Sequence, residues 1–239
     1  GVQTCALPIS INSTGNRIVV GAYQDERSGQ ASTFDEGLVY VFVSGASGWA
    51  QQDILSGSLL VNTYNYFGQS AAINSIGDRI VVGAFNGQAN VSIGGTGLVY
   101  IYISGSTGWR QEKILSGSAA TQLGDYFGWS VAMNAAGDRA IIGASLDEAA
   151  GNTNTGLAYI FVSGASGWTQ QAFLSGSLAV DSNDQFGWSV AMNATGDHVA
   201  VGAMQDKRPN SANGQQGLTY IFASGSTGWI QQSIDRKST

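Results

Sequence analysis

The feature that most constrains the fold is a repeat of about 60 residues that runs through the chain. Gly-Trp pairs recur at intervals of 60, 59 and 61 residues, and Phe-Gly and Gly-Ala pairs recur in phase with them. The tryptophans of the Gly-Trp pairs are Trp49, Trp109, Trp168 and Trp229. A period of this length is typical of architectures in which each unit buries its apolar surface on its neighbours.

Each unit contains four apolar segments, which we interpret as four strands. The third segment is almost wholly apolar, as in a central strand, and the fourth carries glutamines that suit an outer edge. In the first segment large side chains alternate with small ones, which predicts a bulky and a hollow face; the large ones in the third copy are Phe127, Trp129, Val131 and Met133. Sheets of this kind stack radially into a β-propeller. The alternatives are a β-helix and a linear solenoid, whose coils would be shorter.

The composition favours the same all-β class. Charged residues make up only 11% of the chain, against about 25% in an average soluble domain. The chain also has 34 glycines, so helices are disfavoured. A net charge of -6 argues against a nucleic-acid partner. No apolar run approaches the length of about 20 residues that a membrane helix needs, so we expect no membrane insertion.

The two ends of the chain match one oligonucleotide. Residues 1–9 and 235–239 can be encoded by opposite strands of a common sequencing-library adapter, and we expect both to be foreign to the protein. The remaining segment, 10–234, holds 15 acidic and eight basic residues and lacks the single cysteine, Cys5. It divides into four predicted blades, at 10–66, 67–126, 127–185 and 186–234.

The repeated motifs resemble the FG-GAP repeats of integrin α-subunit heads and of many surface or secreted proteins. The resemblance is carried by Phe-Gly at 67, 127 and 186 and by Val-Gly-Ala or Ile-Gly-Ala at 20, 82, 142 and 201. It implies four-stranded antiparallel blades in an open arc of a seven-bladed ring, an extracellular or cell-surface location, and adhesion. The chain departs from the family after Gly-Ala, where the usual proline is replaced by Tyr23, Phe85, Ser145 and Met204.

The connections between strands predict which end of the blades binds a ligand. In an up-and-down blade, the second-to-third and fourth-to-first connections lie on one face. The former contain 14, 12, 11 and 13 residues, whereas the latter contain 11 each time. Variable loops on a regular scaffold are a usual place for binding. These two sets also carry the whole charge of -7 of segment 10–234. That charge favours a divalent cation or a basic partner, or it serves solubility alone.

The candidate ligand residues lie in these loops or at the adjacent ends of the inner strands. We expect four of the carboxylates, Asp125, Asp147, Glu148 and Asp184, to converge near the inner strands. The tryptophans that follow Phe-Gly either pack between blades or form stacking platforms for a sugar or peptide. The full candidate set is Asp25, Glu26, Asp125, Trp129, Asp147, Glu148, Asp184, Trp188 and Asp206.

The hairpins between the first and second strands occupy the place of the family's calcium sites. Each holds at most one carboxylate, too few for an ion that takes six to eight oxygens, so a tight turn is the favoured interpretation. The degenerate positions are Asn74 and Asp78, Asn134 and Asp138, and Asn193 and Asp197. We therefore assign no metal site with certainty, and calcium is the one candidate cofactor.

No nucleophile with a base, phosphate loop or zinc spacing is evident, which favours a non-enzymatic propeller that binds a protein or glycan. Two alternatives stay open. One is an enzyme in which Asp125 and Asp147 perform acid–base chemistry on a glycoside; paired carboxylates with raised pKa in a cleft would support it. The other is a spacer attached to a catalytic domain elsewhere.

Overall fold

Four antiparallel sheets of four strands each make up the part of the chain that the structure, a computed structural model, describes: residues 8–25, 36–58, 64–88, 95–148, 153–179, 181–206 and 217–235. Within these ranges there is no helix, and none that could cross a membrane. In every sheet the spatial order of the strands follows the sequence, so each blade is an up-and-down meander. The predicted β-propeller architecture is confirmed.

The strands recur with nearly the same lengths in each blade. The first blade comprises β1 (Ile9–Ile11), β2 (Arg17–Ala22), β3 (Leu38–Gly45) and β4 (Gly48–Leu55). The second comprises β5 (Phe67–Ile73), β6 (Arg79–Ala84), β7 (Leu98–Gly105) and β8 (Gly108–Leu115). The third comprises β9 (Phe127–Met133), β10 (Arg139–Ala144), β11 (Leu157–Gly164) and β12 (Gly167–Leu174). The fourth comprises β13 (Phe186–Met192), β14 (His198–Ala203), β15 (Leu218–Gly225) and β16 (Gly228–Asp235).

The hydrophobic core lies between blades. One cluster joins Val39 and Val41 of the first blade to Phe67, Val82 and Tyr100 of the second, and equivalent clusters join the second to the third and the third to the fourth. Phe67 is fully buried and lies edge-on to Tyr100 at 5.3 Å. The apolar side chains of each unit are therefore covered only when the next unit is present, which explains the radial stacking.

A backbone contact sets how closely the blades approach. A Cβ at Gly143 in β10 would overlap the carbonyl oxygen of Gly187 in β13, and the same overlap would occur at Gly21 and Gly83 with the next blade. Gly187 itself has a φ of +87°, which other residues rarely adopt. The Phe-Gly and Gly-Ala motifs thus meet across each interface, and neither glycine tolerates a side chain.

Polar contacts repeat at the same interfaces. The hydroxyls of Ser70 and Ser130 donate to the carbonyl oxygens of Gly128 and Gly187, each at 2.8 Å. On the opposite end of the blades, Ser75 N donates to the Ala135 carbonyl at 3.1 Å. These bonds pair backbone groups that would otherwise be buried unsatisfied between the sheets.

The inner strands contain a bulge that the alternating pattern did not predict. In β13 the register shifts between Phe186 and Ser189, so Gly187 and Trp188 have no partner residues in β14. The equivalent shift occurs in β9. Trp129 therefore leaves the face that it was predicted to share with Phe127, Val131 and Met133, and lies among aromatic side chains of both neighbouring blades.

At the beginning of the described chain, the short strand β1 stands in for the Phe-Gly strand of the other blades. Ile9 pairs with Val20, and Gly21 N donates to the Pro8 carbonyl at 2.9 Å. The first unit has no Phe-Gly pair ahead of β2. Residues 1–7 and 236–239 lie outside the described residues.

Candidate binding face

The two sets of connections that were predicted to share a face do lie together. Phe127 N donates to the Thr96 carbonyl at 3.1 Å, and Phe186 N donates to the Thr155 carbonyl at 2.8 Å. In each case the connection that enters one blade is bonded to the second-to-third connection of the preceding blade. We call the end of the blades formed by these connections the loop face.

Three of the candidate carboxylates occupy the same repeat position and form the same contact. Each lies three residues after the alanine of Gly-Ala and accepts a hydrogen bond from the tyrosine of the central strand in its own blade. The pairs are Asp25 with Tyr40, Asp147 with Tyr159, and Asp206 with Tyr220. Asp147 and Asp206 are each 1% exposed. These carboxylates therefore fasten the loop to the sheet.

Burial perturbs the pKa values of Asp147, Tyr159 and Tyr220. It raises the pKa of Asp147, although the Tyr159 hydroxyl opposes the shift, and it raises the pKa of Tyr159 and Tyr220. The hydrogen bond to Asp25 raises the pKa of Tyr40 to about 12. Each tyrosine hydroxyl thus keeps its proton and acts as a donor.

Asp125 and Asp184 form a second repeated set, two residues before Phe-Gly. Each carboxylate accepts a bond of 2.7 Å from a backbone N–H in its own loop, at Gln122 and Asp181 respectively. Burial raises the pKa of Asp125 to about 7, with smaller contributions from the charges of Asp147 and Glu148. Asp125 and Asp184 are 2% and 1% exposed. Both carboxyl groups are therefore shielded from a partner on the loop face.

The predicted convergence of the four carboxylates is partial, because Asp184 lies near Asp206 and Tyr220 of the fourth blade. Asp125, Asp147 and Glu148 lie near one another, and Gln122 Nε2 donates to Glu148. Glu26 lies outside the described residues. In the described part of the chain, no group of three or more acidic, histidine or cysteine side chains is arranged to hold a metal ion.

A raised pKa in paired carboxylates is one of the two features that would support a glycosidase. The second feature is an open cleft. Asp125 and Asp147 are only 2% and 1% exposed, and both carboxylates already accept bonds from their own blade. A substrate cannot reach either oxygen pair in this geometry.

The hairpins between the first and second strands are tight turns, as predicted. Asn74 Oδ1 accepts bonds of 3.0–3.1 Å from backbone N–H groups of residues 77–79, and Asn74 Nδ2 donates to Asp78 at 2.7 Å. Gly77 has a φ of +80°. The same bonds recur from Asn134 to Asp138 and from Asn193 to Asp197. The side-chain oxygens of each hairpin are thus engaged within the turn.

His198 also behaves as a turn residue. Its Nδ1 lies 2.8 Å from Asp197 Oδ1 on an exposed surface. Hydrogen bonds from Thr195, His198 and Asn193, in that order, lower the pKa of Asp197. His198 begins the second strand of its blade, where the other blades have Arg17, Arg79 and Arg139.

A continuous row of aromatic side chains crosses the loop face from the first blade to the fourth. Tyr66 stacks on Phe85 at 4.9 Å with an interplanar angle of 5°, Phe85 meets Trp129 at 5.1 Å, and Trp129 meets Trp188 at 4.7 Å. All members are partly or fully exposed. We call this row the aromatic arc; its members are Tyr23, Tyr64, Tyr66, Phe85, Tyr126, Trp129 and Trp188.

Sequence reasoning found only the two tryptophans of this arc. Four of the other members come from two further repeat positions, the residue before Phe-Gly and the residue after Gly-Ala, and Tyr64 lies three residues before Phe67. The register brings these positions together, because Phe67 pairs with Ala84 and thereby places Tyr66 beside Phe85. The signal that could have found them is the aromatic character of both positions in the second unit.

The backbone of the arc is strained. Tyr64, Tyr66 and Tyr126 have φ values of 67°, 54° and 59°, and Gln185, at the position of Tyr126 in the next blade, has 58°. Bulky side chains rarely adopt this left-handed conformation, which costs about 1–3 kcal/mol per residue. Strain of this kind is concentrated at ligand sites, which makes the arc the strongest candidate on the loop face.

Comparison with known proteins supports the fold. Residues 109–161 and 168–222 match the FG-GAP repeat, which confirms the resemblance seen in the sequence. No curated protein sequence matches the chain. Among solved structures, the periplasmic gluconolactonase PpgL of Pseudomonas aeruginosa is 13% identical with a TM-score of 0.59, over 98% of this chain and 58% of that one. Sqt1 of Chaetomium thermophilum is 13% identical with a TM-score of 0.51, over 91% and 43%. The chain thus spans less than two thirds of either protein, and these likenesses concern the fold alone.

Proposed function

We propose that this propeller of FG-GAP type is a non-enzymatic recognition module that binds a protein or glycan on its loop face. The observation that carries the proposal is the aromatic arc. It presents contiguous, partly exposed rings on strained backbone at the end of the blades where loop length varies. Aromatic side chains of this kind supply large contact areas at low entropic cost.

The burial of the carboxylates favours binding over catalysis. Asp125, Asp147, Asp184 and Asp206 are all at most 2% exposed. Acid–base catalysis needs a carboxyl group within hydrogen-bond reach of the substrate. The aromatic rings, in contrast, are partly exposed in the present arrangement of the loops.

The location and the biological role follow from the resemblance. FG-GAP repeats occur in surface and secreted proteins, and one protein of similar fold is periplasmic. We therefore infer an extracellular or cell-surface location and a role in adhesion or recognition. Calcium and basic partners belong to the same proposal, since the loops carry the net negative charge of the chain.

The test is binding to glycan and peptide arrays by the wild-type chain and by two single variants. Trp188→Ala removes one end of the arc, whereas Trp49→Ala removes a tryptophan that is 49% exposed on the outer strand β4. We expect Trp188→Ala to lose the bound probes and Trp49→Ala to keep them. Retention of every probe by Trp188→Ala would place binding away from the arc.

A further inference from the structure

The aromatic arc changes its chemistry between the third and fourth blades. Between the second and third blades, Phe85 lies 4.9 Å from Tyr126 and 5.1 Å from Trp129. At the next interface the equivalent of Phe85 is Ser145, and the equivalent of Tyr126 is Gln185. A phenyl ring and a phenol are thus replaced by two small or flexible polar side chains.

Both replacements leave a polar atom without a partner. Among the described residues, Ser145 Oγ and Gln185 Oε1 are buried and accept or donate no hydrogen bond. Ser145 is 0% exposed, whereas Gln185 is partly exposed as a residue. A buried acceptor without a donor is unfavourable, and a ligand that supplies a donor relieves that cost.

Two indoles flank this position. In the repeat, Trp188 corresponds to Trp129, just as Ser145 corresponds to Phe85. The indole rings of Trp129 and Trp188 lie 4.7 Å apart with an interplanar angle of 44°. Both are partly exposed. Flat apolar faces therefore border a site whose amide and hydroxyl lack partners.

We propose that Trp129, Trp188 and Gln185 form a subsite for a neutral sugar ring, a proposal that rests on the recognition role of the loop face. The apolar C–H face of a pyranose lies on the indoles. The partly exposed Gln185 side chain turns outward, so that its Oε1 accepts a hydrogen bond from a sugar hydroxyl. Ser145 is fully buried and contributes through its small size, since it replaces the ring that Phe85 supplies at the neighbouring interface.

The surrounding charges favour a neutral ligand over a cationic one. Indole faces also attract cations, but a cation bound here would need an accessible carboxylate to balance it. Among the nearby carboxylates, those of Asp125, Asp147 and Asp184 are at most 2% exposed and already accept bonds from Gln122 N, Tyr159 Oη and Asp181 N. The partly exposed carboxylate of Glu148 accepts a bond from Gln122 Nε2. A hydroxyl-rich neutral ring needs no such counter-charge.

The experiment titrates neutral hexasaccharides of glucose, xylose, mannose and N-acetylglucosamine, together with an arginine-rich decapeptide, into the full chain. Tryptophan fluorescence and saturation-transfer NMR report binding. The key variant is Ser145→Phe/Gln185→Tyr, which rebuilds the Phe85–Tyr126 arrangement of the neighbouring interface and should fold for the same reason that interface does. Gln185→Asn is a milder variant. Asparagine tolerates the φ of 58°, but its side chain is shorter by one methylene group.

We expect at least one hexasaccharide to bind saturably at millimolar concentration or below. The double variant should weaken that binding at least about tenfold, Gln185→Asn should weaken it less, and Trp49→Ala should not change it. Unchanged sugar affinity in the double variant overturns the subsite. If only the decapeptide binds, and Trp188→Ala abolishes that binding, the sugar subsite is refuted but the recognition module is retained. If no probe binds, both the subsite and the module are refuted.

Discussion

Replacing Tyr159 by phenylalanine should show whether the buried aspartate–tyrosine pairs hold the loop face together. The ring stays in place, so no large cavity forms, and only the hydroxyl that donates to Asp147 is lost. Asp147 then retains the backbone N–H of Glu148, which donates to its Oδ1 at 2.7 Å. The carboxylate remains 1% exposed, so water has little access to replace the missing donor.

The expected cost follows from the charge and burial of the pair. A hydrogen bond to an ionised group contributes about 1.5–3 kcal/mol, and more of this is lost when water cannot substitute. We therefore expect Tyr159→Phe to lower the unfolding free energy by about 2–3 kcal/mol. Tyr40→Phe is the matched control, because Tyr40 and Asp25 are both only half-buried. Hydration should limit its cost to about 0.5–1 kcal/mol.

The sign of the pH dependence gives a second criterion. The Tyr159 hydroxyl stabilises the ionised form of Asp147 and so opposes the rise of its pKa. Removing the hydroxyl raises that pKa further. At low pH Asp147 is then protonated, and the missing hydrogen bond costs less stability. The cost of Tyr159→Phe should therefore be larger at about pH 8 than at about pH 5.

Urea unfolding followed by tryptophan fluorescence measures these differences as shifts in the midpoint at constant slope. Equal losses for Tyr159→Phe and Tyr40→Phe would refute the argument from burial. A larger loss at the lower pH would refute the assignment of Asp147 as the ionised acceptor.

Two further predictions concern the blade interface and the pH response. Gly143→Ala, whose Cβ would overlap the Gly187 carbonyl, should cost about 3 kcal/mol or prevent cooperative unfolding, whereas Gly164→Ala, with open space around it, should cost less than about 1 kcal/mol in the same urea assay. Because Asp125 has its pKa raised to about 7, folding favours its protonated form, and stability should fall as the pH rises between about 4 and 8. Asp125→Asn should remove about 4 kcal/mol of that pH dependence, measured as the change in unfolding free energy across this range, and an unchanged pH profile would contradict the buried position of the carboxylate.

The blade architecture was predictable because it depends on local pattern and repetition. The apolar run from Leu157 to Val162 predicts the central strand of the third blade, and β11 spans Leu157–Gly164. The shared face of the two loop sets followed from up-and-down topology alone. Neither inference required a distance between residues of different blades.

The chemistry of the loop face was less predictable, since it depends on directions of side chains. Asp147 lies in a connection, and connections are usually exposed, so the sequence indicated a surface charge. The tight turn after Gly-Ala instead turns it onto Tyr159 of the same blade. A signal was present, because aspartate occupies this position in three of the four units and Gly87 in the other. The aromatic arc required contacts between blades, such as Trp129 with Trp188, that no single repeat encodes.

The glycine contact between blades has a consequence for how such chains evolve. Gly83 meets Gly128, and Gly143 meets Gly187, through main-chain atoms, so the junction does not depend on which variable side chains each copy has acquired. Unequal crossover between two copies in the same phase therefore joins units that already fit, and adds or removes a whole blade in a single step. After a duplication, the side chains of the loop face can change while the glycine contact between units stays the same. The scaffold is then conserved while the ligand that it binds changes.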